Sequence, residues 1–591
     1  MEILITYAPT FLLAWGLGAY MSRVFSSERT WLDFLKPLEH GIYRLLRIDP
    51  TRGMTWRGYA LAILWTNLPL ALLGYLVFIW QANLPLNPDK ISGMSWDLAL
   101  HTAASFITNT NQQHYSGQSQ MSYLSQLVGV TAMQFVTPAV GLAAMVAVLR
   151  GLMGGMGGVK GNLGNYYVDL TRAITRVLIP MSFVLALLLT WQGVPSTFSG
   201  AKTATLLEPQ TVSAQVISSQ TIPVGPVAAM VAIKQLGTNG GGWYGPNSAV
   251  PLENPTPFSN LLETISIILI PVAAIFMAGY FLRRPRFGIM VLGVMTLLSA
   301  VLVFAIVPNA TQANATFAGL AAPGANLEGV EQRFGPIASS LWASLTTQTS
   351  NGSVNAMHDS LNPLAGLVPL IGMWLNLIVG GDGVGFLNFF IYLIVTVFIA
   401  GLMVGRTPEL FGRKIEAREM KLASVALLIS PLLILVPSAI ALSVPAVTAN
   451  SNPGFHGLSQ IIYEYSSAAA NNGSGFEGLG DNTIWWNVSC AVVLILARFV
   501  PIIAPLAIAG YLSQKKEIPV SSGTLRVDTP TFAGTTLAII LILAALQYLP
   551  VAVMGPIAEQ LTLGQPAPKP IPLSAKPFSQ PLKLPALGSL K

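Results

Sequence analysis

Charged residues are scarce in this chain, because Asp, Glu, Lys and Arg make up only 9% of its 591 residues. A soluble domain of average composition carries about 25%. So few charges cannot cover a water-facing surface of this size, and most of the surface must contact lipid or other protein. The mean hydropathy of +0.60 agrees, as do the apolar runs 265–282 and 290–307. About 20 apolar residues cross the hydrocarbon core as a helix. The sequence therefore predicts a membrane protein.

Cysteine is nearly absent as well. Cys490 is the single cysteine and lies inside an apolar segment, which excludes a disulfide framework and a thiolate metal site. We expect it to pack between helices. The five histidines show no ligand spacing, so we predict no metal site. The pI of about 9.3 would suit nucleic acid, but the basic residues lie in short loops between apolar runs. This pattern is typical of membrane topology, and we expect no nucleic-acid partner.

The chain also lacks motifs for ATP hydrolysis. The glycine-rich stretch 154–160 has neither the Gly-Lys pair nor the hydroxyl of a phosphate-binding loop. An Asp-Lys-Thr-Gly phosphorylation motif is missing too, since Asp89-Lys90 continues with Ile-Ser. We predict that the chain binds no ATP and has no catalytic activity of its own. A membrane enzyme acting on lipid or sugar is disfavoured because the acidic residues are scattered over loops.

The apolar runs are too long for the strands of a membrane barrel, which show about 10 residues of alternation. We predict an all-α integral membrane protein with about ten transmembrane helices. The predicted spans are 3–22, 59–80, 122–149, 173–193, 261–282, 287–307, 362–404 (broken in the middle), 421–444, 484–512 and 531–554.

Basic residues are concentrated in every second loop, which predicts the orientation in the membrane. They number seven at 23–57, four at 150–176, three at 283–286, five at 406–421 and three at 515–526. These loops are expected inside, which places both termini outside. No basic residues precede the first apolar run, so it is predicted to be a retained helix and not a cleavable signal peptide. We expect the proline-rich tail, about 562–591, to lie extended outside.

Four polar clusters interrupt the outer loops, each after a short helix candidate and before a span. They are rich in Gly, Asn, Thr and Ser, and they cover 108–113, 237–242, 349–353 and 471–475. Aligning Asn111, Gly240, Gly352 and Gly473 gives spacings of 129, 112 and 121 residues. A single cluster of this kind is usually a flexible surface loop. Four in the same place predict four parallel repeats around one axis, with the first helix left over.

The repeats divide the chain into six predicted parts. An extra N-terminal helix and its loop cover 1–58. The four repeats, each with a pore loop, cover 59–150, 171–283, 287–406 (which includes the broken helix) and 420–512, and the last helix and tail cover 530–591.

The composition of the clusters suits a cation filter. A dehydrated cation needs a ring of oxygens, which carbonyls, hydroxyls and amides supply without full charges. Glycine permits the backbone angles that turn carbonyls toward an axis. The clusters contain no Asp or Glu, so they suit a weakly hydrated monovalent cation better than Ca²⁺ or Mg²⁺. The predicted filter residues are Asn109, Thr110, Asn111, Thr238, Asn239, Gly240, Ser350, Asn351, Gly352, Asn471, Asn472 and Gly473.

With these clusters, the stretch 346–357 and the loop 405–416, the sequence resembles the potassium-transporting A subunits of bacterial Kdp ATPase complexes over essentially its whole length. The resemblance implies four membrane–loop–membrane units around a pore, potassium as the transported ion, and the bacterial inner membrane as the location. It also implies three protein partners in the lipid membrane: a catalytic P-type ATPase B subunit, a single-span C subunit and a very small F peptide. One departure is Gln112-Gln113-His114, where the family has an aromatic residue before the second glutamine.

Four further features are candidates for coupling the pore to such a partner. Gln113 is predicted at the filter edge, with a surface glutamine as the alternative. Gly380, Gly381, Asp382 and Gly383 break the seventh span, and we interpret them as a gate candidate within the membrane instead of a turn between two spans. Arg498 lies in an apolar stretch, where a charge is costly and indicates a role near the inner pore or the partner interface. The alternative is that its side chain snorkels to the inner surface. Arg406 is either a partner contact or a positive-inside anchor.

The leading functional hypothesis is ATP-driven potassium uptake, with this chain supplying selectivity and the entry path. The alternative is a stand-alone potassium channel or ion-coupled transporter of the same superfamily. A neighbouring reading frame with Asp-Lys-Thr-Gly would discriminate between them in favour of the pump.

Overall fold

The computed structural model describes residues 1–212, 215–314, 316, 324–444, 448, 450–519 and 525–563. Within these ranges ten helices are long and apolar enough to cross a membrane, which confirms the predicted number. They are Glu2–Phe25, Trp56–Asn83, Ser125–Leu152, Tyr166–Gln192, Pro257–Phe281, Pro285–Ala310, Val384–Met403, Ala417–Ser443, Ile484–Gln514 and Pro530–Thr562. The predicted proline-rich tail lies outside the described residues beyond position 563.

Several spans begin at a threonine whose side chain accepts a hydrogen bond from the first helical turn. Such a cap satisfies N–H groups that have no partner within the helix. Thr256 also forms a capping box with Ser259 and is followed by Pro257 at the first helical position. The other threonine caps are Thr55, Thr483 and Thr529.

Four shorter helices precede the polar clusters, as the repeats predict. They are Trp96–Ile107, Val227–Leu236, Gly335–Gln348 and Gly454–Ala469, called pore helices 1 to 4 below. Pore helix 2 is buried on almost every side. A helix that is surrounded by protein needs no polar face, which is why the sequence shows only weak amphipathicity there.

The predicted seventh span consists of two helices, Pro363–Leu375 and Val384–Met403, joined by residues 376–383. Asn376 has a left-handed backbone conformation (φ 44°) and ends the first helix. The break therefore begins four residues before the predicted Gly380, and Val384 and Gly385 already belong to the second helix.

The first span, which the repeats leave over, packs along Pro257–Phe281. Gly18 permits this approach, because a Cβ there would lie 2.5 Å from the Cβ of Phe276 and 2.7 Å from the main-chain oxygen of Ala273. The extra helix is thus attached to the second repeat.

The loop between the fourth span and pore helix 2 contains an antiparallel hairpin that the all-helical prediction lacked. Its strands are Lys202–Val212 and Gln215–Ile222. The run Thr203, Thr205, Thr211 and Val212 is rich in β-branched residues, which favour strands. A second, very short pair joins Glu409–Leu410 to Arg413–Lys414. The remaining short helices are Asp33–Leu35, Lys36–Leu45, Gly117–Gln120, Met156–Gly158 and Asn247–Ala249.

Candidate ion-binding site

The four polar clusters share one backbone conformation. At the aligned positions Asn111, Gly240, Gly352 and Gly473, φ is 55°, 82°, 86° and 107°. Two residues earlier φ is again positive, at 63°, 48°, 53° and 51° for Asn109, Thr238, Ser350 and Asn471. Left-handed backbone is uncommon outside glycine, so its recurrence at the same two positions supports the alignment made from sequence. We call residues 109–111, 238–240, 350–352 and 471–473 filter segments 1 to 4.

Each filter segment is anchored to its own pore helix by the N–H group of its middle residue. The N–H of Thr110 donates to the main-chain oxygen of Ser105 (3.1 Å), and that of Asn351 donates to the oxygen of Thr346 (2.9 Å). The same bond joins Asn239 to Lys234 (3.0 Å) and Asn472 to Ser467 (2.9 Å). The pore helices therefore end with their partly negative C-termini beside the segments, which favours a cation there.

The main-chain oxygens of the four middle residues are available to a ligand. Within the described part of the chain, no hydrogen bond is donated to the oxygens of Thr110, Asn239, Asn351 or Asn472. Buried carbonyl groups normally have a partner. Four equivalent carbonyls without one, in segments that contain no Asp or Glu, form the kind of oxygen set that a dehydrated monovalent cation uses.

The segments contact one another in a ring. A Cβ on Gly240 would overlap the main-chain oxygen of Asn351 in segment 3. A Cβ on Gly352 would overlap that of Asn472 in segment 4, and one on Gly473 would overlap that of Thr110 in segment 1. Segments 1 and 2 meet where a Cβ on Gly241 would lie 2.7 Å from that of Asn111. Only glycine fits at positions 240, 352 and 473, because a side chain there would lack space and would strain the left-handed backbone.

Three asparagine side chains connect the segments and are themselves occupied. Asn109 donates from its amide to the main-chain oxygen of Thr238 (3.0 Å). Asn351 donates to that of Lys234 (3.2 Å), and Asn472 to that of Thr346 (2.8 Å). These three amides hold the ring together. The oxygens left without a donor among the described residues include the main-chain oxygens of the middle residues and Oδ1 of Asn239.

Gln113 lies at the edge of segment 1 and joins it to the second repeat. Its amide donates to the main-chain oxygen of Gly242 (3.0 Å), and its own oxygen accepts from the N–H of Gly242 (2.8 Å). The glutamine is partly buried. The paired bond joins Gln113 to the residue that follows segment 2 by two positions, and its role at a filter edge stays a prediction.

A buried cationic network behind segment 2 was missed from the sequence. The ammonium of Lys234, which is 0% exposed, forms an ion pair with Glu253 and donates to Asn247 (2.7 Å) and Ser248 (2.6 Å). Asn247 in turn donates to the main-chain oxygen of Gly240 (2.6 Å). The available signal was a lysine inside an apolar pore helix, at a position where the other three repeats have Ser105, Thr346 and Ser467.

A second buried network supports segment 1 from the fourth repeat. The carboxylate of Glu464 accepts hydrogen bonds from the side chains of Gln112 (2.5 Å) and His114 (3.0 Å). His114 also contacts Asn487 (2.7 Å). Cys490 is buried, as expected, with its thiol 3.8 Å from the same carboxylate oxygen. Ligand atoms of His114, Glu464 and Cys490 lie within 4.8 Å of one another, a proximity that their sequence spacing does not reveal.

The gate candidate lies directly against the filter. The N–H of Gly381 donates to the main-chain oxygen of Thr349 (2.6 Å), and that of Asp382 donates to the hydroxyl of Thr238 (3.2 Å). Gly383 has φ 86°, and a Cβ there would lie 2.7 Å from the main-chain oxygen of Gly141 in the third span. The loop is thus packed between the ends of two pore helices and a span.

Asp382 and Arg498 are both buried beside this loop. The guanidinium of Arg498 donates to the main-chain oxygen of Thr137 (3.1 Å), and it attracts the carboxylate of Asp382. Neither oxygen of that carboxylate has a hydrogen-bond partner among the described residues. Arg406 is exposed beyond the far end of Val384–Met403, about 30 Å from the loop by helical rise. The structure therefore brings Arg498, but not Arg406, to the gate candidate.

Comparison with known proteins identifies the family. A family model described as potassium-transporting ATPase A subunit matches residues 4–561. The chain belongs to this family.

Curated relatives are similar over almost their full lengths. The potassium-transporting ATPase potassium-binding subunit of Gloeobacter violaceus is 49% identical over 548 residues, which are 92% of this chain and 94% of the relative. That of Alicyclobacillus acidocaldarius is 49% identical over 556 residues, 93% and 97% of the two chains. This A-subunit family member also shares a fold with the crystal structure of the potassium transporter TrkH from Vibrio parahaemolyticus, at 12% identity and a TM-score of 0.50. The match covers 85% of this chain and 97% of that one.

Proposed function

We propose that this chain is the potassium-selective binding and translocation subunit of an ATP-driven potassium uptake pump. Potassium binds from outside at the four filter segments and passes toward a catalytic P-type ATPase B subunit. A single-span C subunit and a very small F peptide complete the complex. The ATPase is the partner's activity, and potassium is this chain's substrate and not a resident cofactor.

One observation carries the proposal: the four middle-position carbonyls of Thr110, Asn239, Asn351 and Asn472, which have no partner among the described residues and lie in a ring closed by glycines. Carbonyl oxygens replace the hydration shell of a potassium ion without adding charge. The names of the relatives supply the ion and the pump.

The experiment is potassium uptake by a strain that lacks other uptake systems and expresses the chain with its neighbouring ATPase genes. Gly240→Ser and Gly240→Asp would force a side chain against Asn351, so we expect weaker potassium affinity and entry of rubidium or sodium. Gly293→Ala is the matched control, because nothing lies within 4 Å of a Cβ there. Unchanged potassium affinity and selectivity in both Gly240 variants would show that this ring is not the selectivity filter.

Dependence on a partner is tested separately. Uptake that persists at the same rate without the ATPase genes would favour the stand-alone channel over the pump. Co-purification of a P-type ATPase subunit, with ATP hydrolysis that potassium stimulates, is the result expected of the pump.

The membrane orientation belongs to the same proposal: both termini lie outside the bacterial inner membrane. In a Cys490→Ala background, an impermeant thiol reagent should label Ser199→Cys in intact cells and should not label Ala417→Cys. Both positions are exposed in the structure, so labelling reports sidedness and not burial. Labelling of Ala417→Cys from outside would overturn the orientation.

A further inference from the structure

The connection between the first two spans presents an apolar and basic surface that no other described residue covers. The first span ends at Phe25 and the second begins at Trp56, so the chain between them lies at the end of the helix bundle. This connection contains the short helix Lys36–Leu45. The side chains of Trp31 and Phe34 are 72% and 70% exposed, and those of Leu38, Leu45 and Leu46 are also exposed.

The segment is held firmly to the bundle by its opposite face. Glu39 and Tyr43, one helical turn apart, are the buried residues of the short helix. Arg176 in the fourth span binds Glu39 through two nitrogens (2.5 and 2.8 Å) and Asp33 through a third contact (2.8 Å). Such a clamp fixes which side faces outward, so the exposed apolar face is a built feature of the fold.

Basic residues surround the exposed apolar face. Between positions 23 and 57 there are seven basic and four acidic residues, and two of the acidic ones, Asp33 and Glu39, are committed to Arg176. Hydrogen bonds from Lys36 and Arg176 hold the pKa of Asp33 below its usual range, so this carboxylate stays ionised and neutralised by its partners. The surface left for a ligand is therefore positive.

A cleft opens where the first span meets this connection. It is lined by Arg23, Arg29, Trp31 and Phe34 and by Tyr20, Thr30 and Asp33. The last three are already engaged by the clamp, because Tyr20 donates to the main-chain oxygen of Arg176, Thr30 donates to Asp33, and Asp33 pairs with Arg176. The rings of Tyr20 and Trp31 lie 6.0 Å apart and form one wall. In the described part of the chain, neither Arg23 nor Arg29 takes part in an ion pair or donates a side-chain hydrogen bond.

We propose that this cleft binds an anionic phospholipid of the phosphatidylglycerol type, with Arg23 and Arg29 as donors to the headgroup phosphate. Guanidinium groups match the geometry of phosphate oxygens. Tryptophan and phenylalanine beside a helix end lie at the depth of the headgroups, and a helix with an apolar face among basic residues lies in that plane. A free phosphate ion would bind the two arginines but would gain nothing from the rings of Trp31 and Phe34.

The test uses the full chain, with whatever subunits it purifies with, and native mass spectrometry of bound lipid. Phosphatidylglycerol and phosphatidylcholine compete for the delipidated protein. Basic residues near a membrane surface contribute additively, so losing two in R23Q/R29Q should weaken phosphatidylglycerol binding by about thirtyfold. The matched control is R283Q/R286Q, which removes the same charge from exposed positions at the same end of the bundle.

Equal losses of phosphatidylglycerol affinity in both double variants would show a general charge effect and not a specific cleft. Unchanged affinity in R23Q/R29Q would show that these arginines do not bind the lipid. Glycerol phosphate or inorganic phosphate binding as tightly as the lipid would show a free-anion site instead. Trp31→Ala should weaken binding of the lipid but not of glycerol phosphate. R23K/R29K keeps the charge but not the planar guanidinium, so it should lose less affinity than R23Q/R29Q and more than the control, which separates a binding defect from misfolding. If a co-purifying subunit shields Trp31 and no phosphatidylglycerol is retained, the surface is a protein interface and the proposal is wrong.

Discussion

Asn247 donates a hydrogen bond from its side-chain amide to the main-chain oxygen of Gly240, at 2.6 Å, and accepts one from the buried ammonium of Lys234. The contact sets which way one carbonyl of segment 2 points. The other three segments have no equivalent contact among the described residues. At the position equivalent to Lys234 they have a serine or a threonine. The filter is therefore four-fold in backbone conformation but not in its support.

The first prediction concerns this contact. Asn247→Ala leaves the oxygen of Gly240 and one donor position of Lys234 without a partner, which costs about 1–3 kcal/mol for each buried group. We expect lower potassium affinity and weaker discrimination against sodium, measured as the concentration dependence of uptake with each ion. Asn254→Ala is the control, since Asn254 is equally buried but bonds to Asn260. It should lower stability without changing selectivity; an identical change in both would make Asn247 merely structural.

The second prediction concerns the ion pair of Lys234 and Glu253. Removing one partner strands a buried charge, so Lys234→Met should lower the free energy of unfolding by about 3–5 kcal/mol. Lys234→Met combined with Glu253→Gln removes both charges and should recover much of that loss. Thermal unfolding of the purified chain measures stability, and uptake measures selectivity. If the double variant is stable yet still discriminates normally between potassium and sodium, the network does not position the filter.

These examples show what the sequence could and could not predict. The spans follow from long apolar runs, and the four segments from glycine and asparagine spacing, because both depend on local composition. The positions of Lys234 and Glu464 depend on which elements pack together, and a single lysine or glutamate carries no sign of its partner. The hairpin 202–222 lies in a loop between spans, and hydropathy does not constrain the structure of such a loop. The start of the break at Asn376 is set by a backbone angle that precedes the conspicuous glycines.

The third prediction concerns the loop 376–383. Gly383→Ala places a Cβ against Gly141 at a left-handed backbone position, and deleting Gly380–Gly383 removes the contacts with Thr349 and Thr238. If the loop gates the pathway, either change should alter flux while potassium binding at the filter stays near normal. Binding is measured by calorimetry and flux in proteoliposomes, with Gly293→Ala as the control. Leakage of potassium without ATP would identify a gate, whereas coupled transport at the parental rate in the deletion would make the loop a plain connector.

The fourth prediction concerns the pH dependence of stability at the N-terminal end of pore helix 4. Both ring nitrogens of His456 contact carboxylates, Nε2 to Asp359 and Nδ1 to Glu559, each at 2.9 Å. Burial alone would lower the pKa of this imidazole, but the hydrogen bonds with Asp359 and Glu559 outweigh it and raise the pKa to about 10. The charged ring therefore ties pore helix 4 to the third repeat and to the last span at neutral pH.

A group whose pKa is raised in the folded state stabilises the fold most when it is protonated in both states. The unfolded value is about 6.5, so the contribution of His456 is complete below that pH. It declines as the pH rises from about 6.5 to about 10, because the folded form then loses the proton that the carboxylates hold. Glu477 receives N–H bonds from His358 and Asp359, and burial raises its pKa to about 8. It adds a decline of the same sign, but between about pH 4.5 and about pH 8.

Comparing variants separates the contribution of His456 to the pH dependence from that of Glu477. In the parent, the unfolding midpoint should fall across these pH ranges, and His456→Gln should flatten the fall and lower the midpoint at neutral pH. His40→Gln is the control, because His40 is exposed and its recorded hydrogen bond is to a main-chain oxygen. A parental slope that persists in His456→Gln would assign the pH dependence to Glu477, whose replacement by Gln should then remove it.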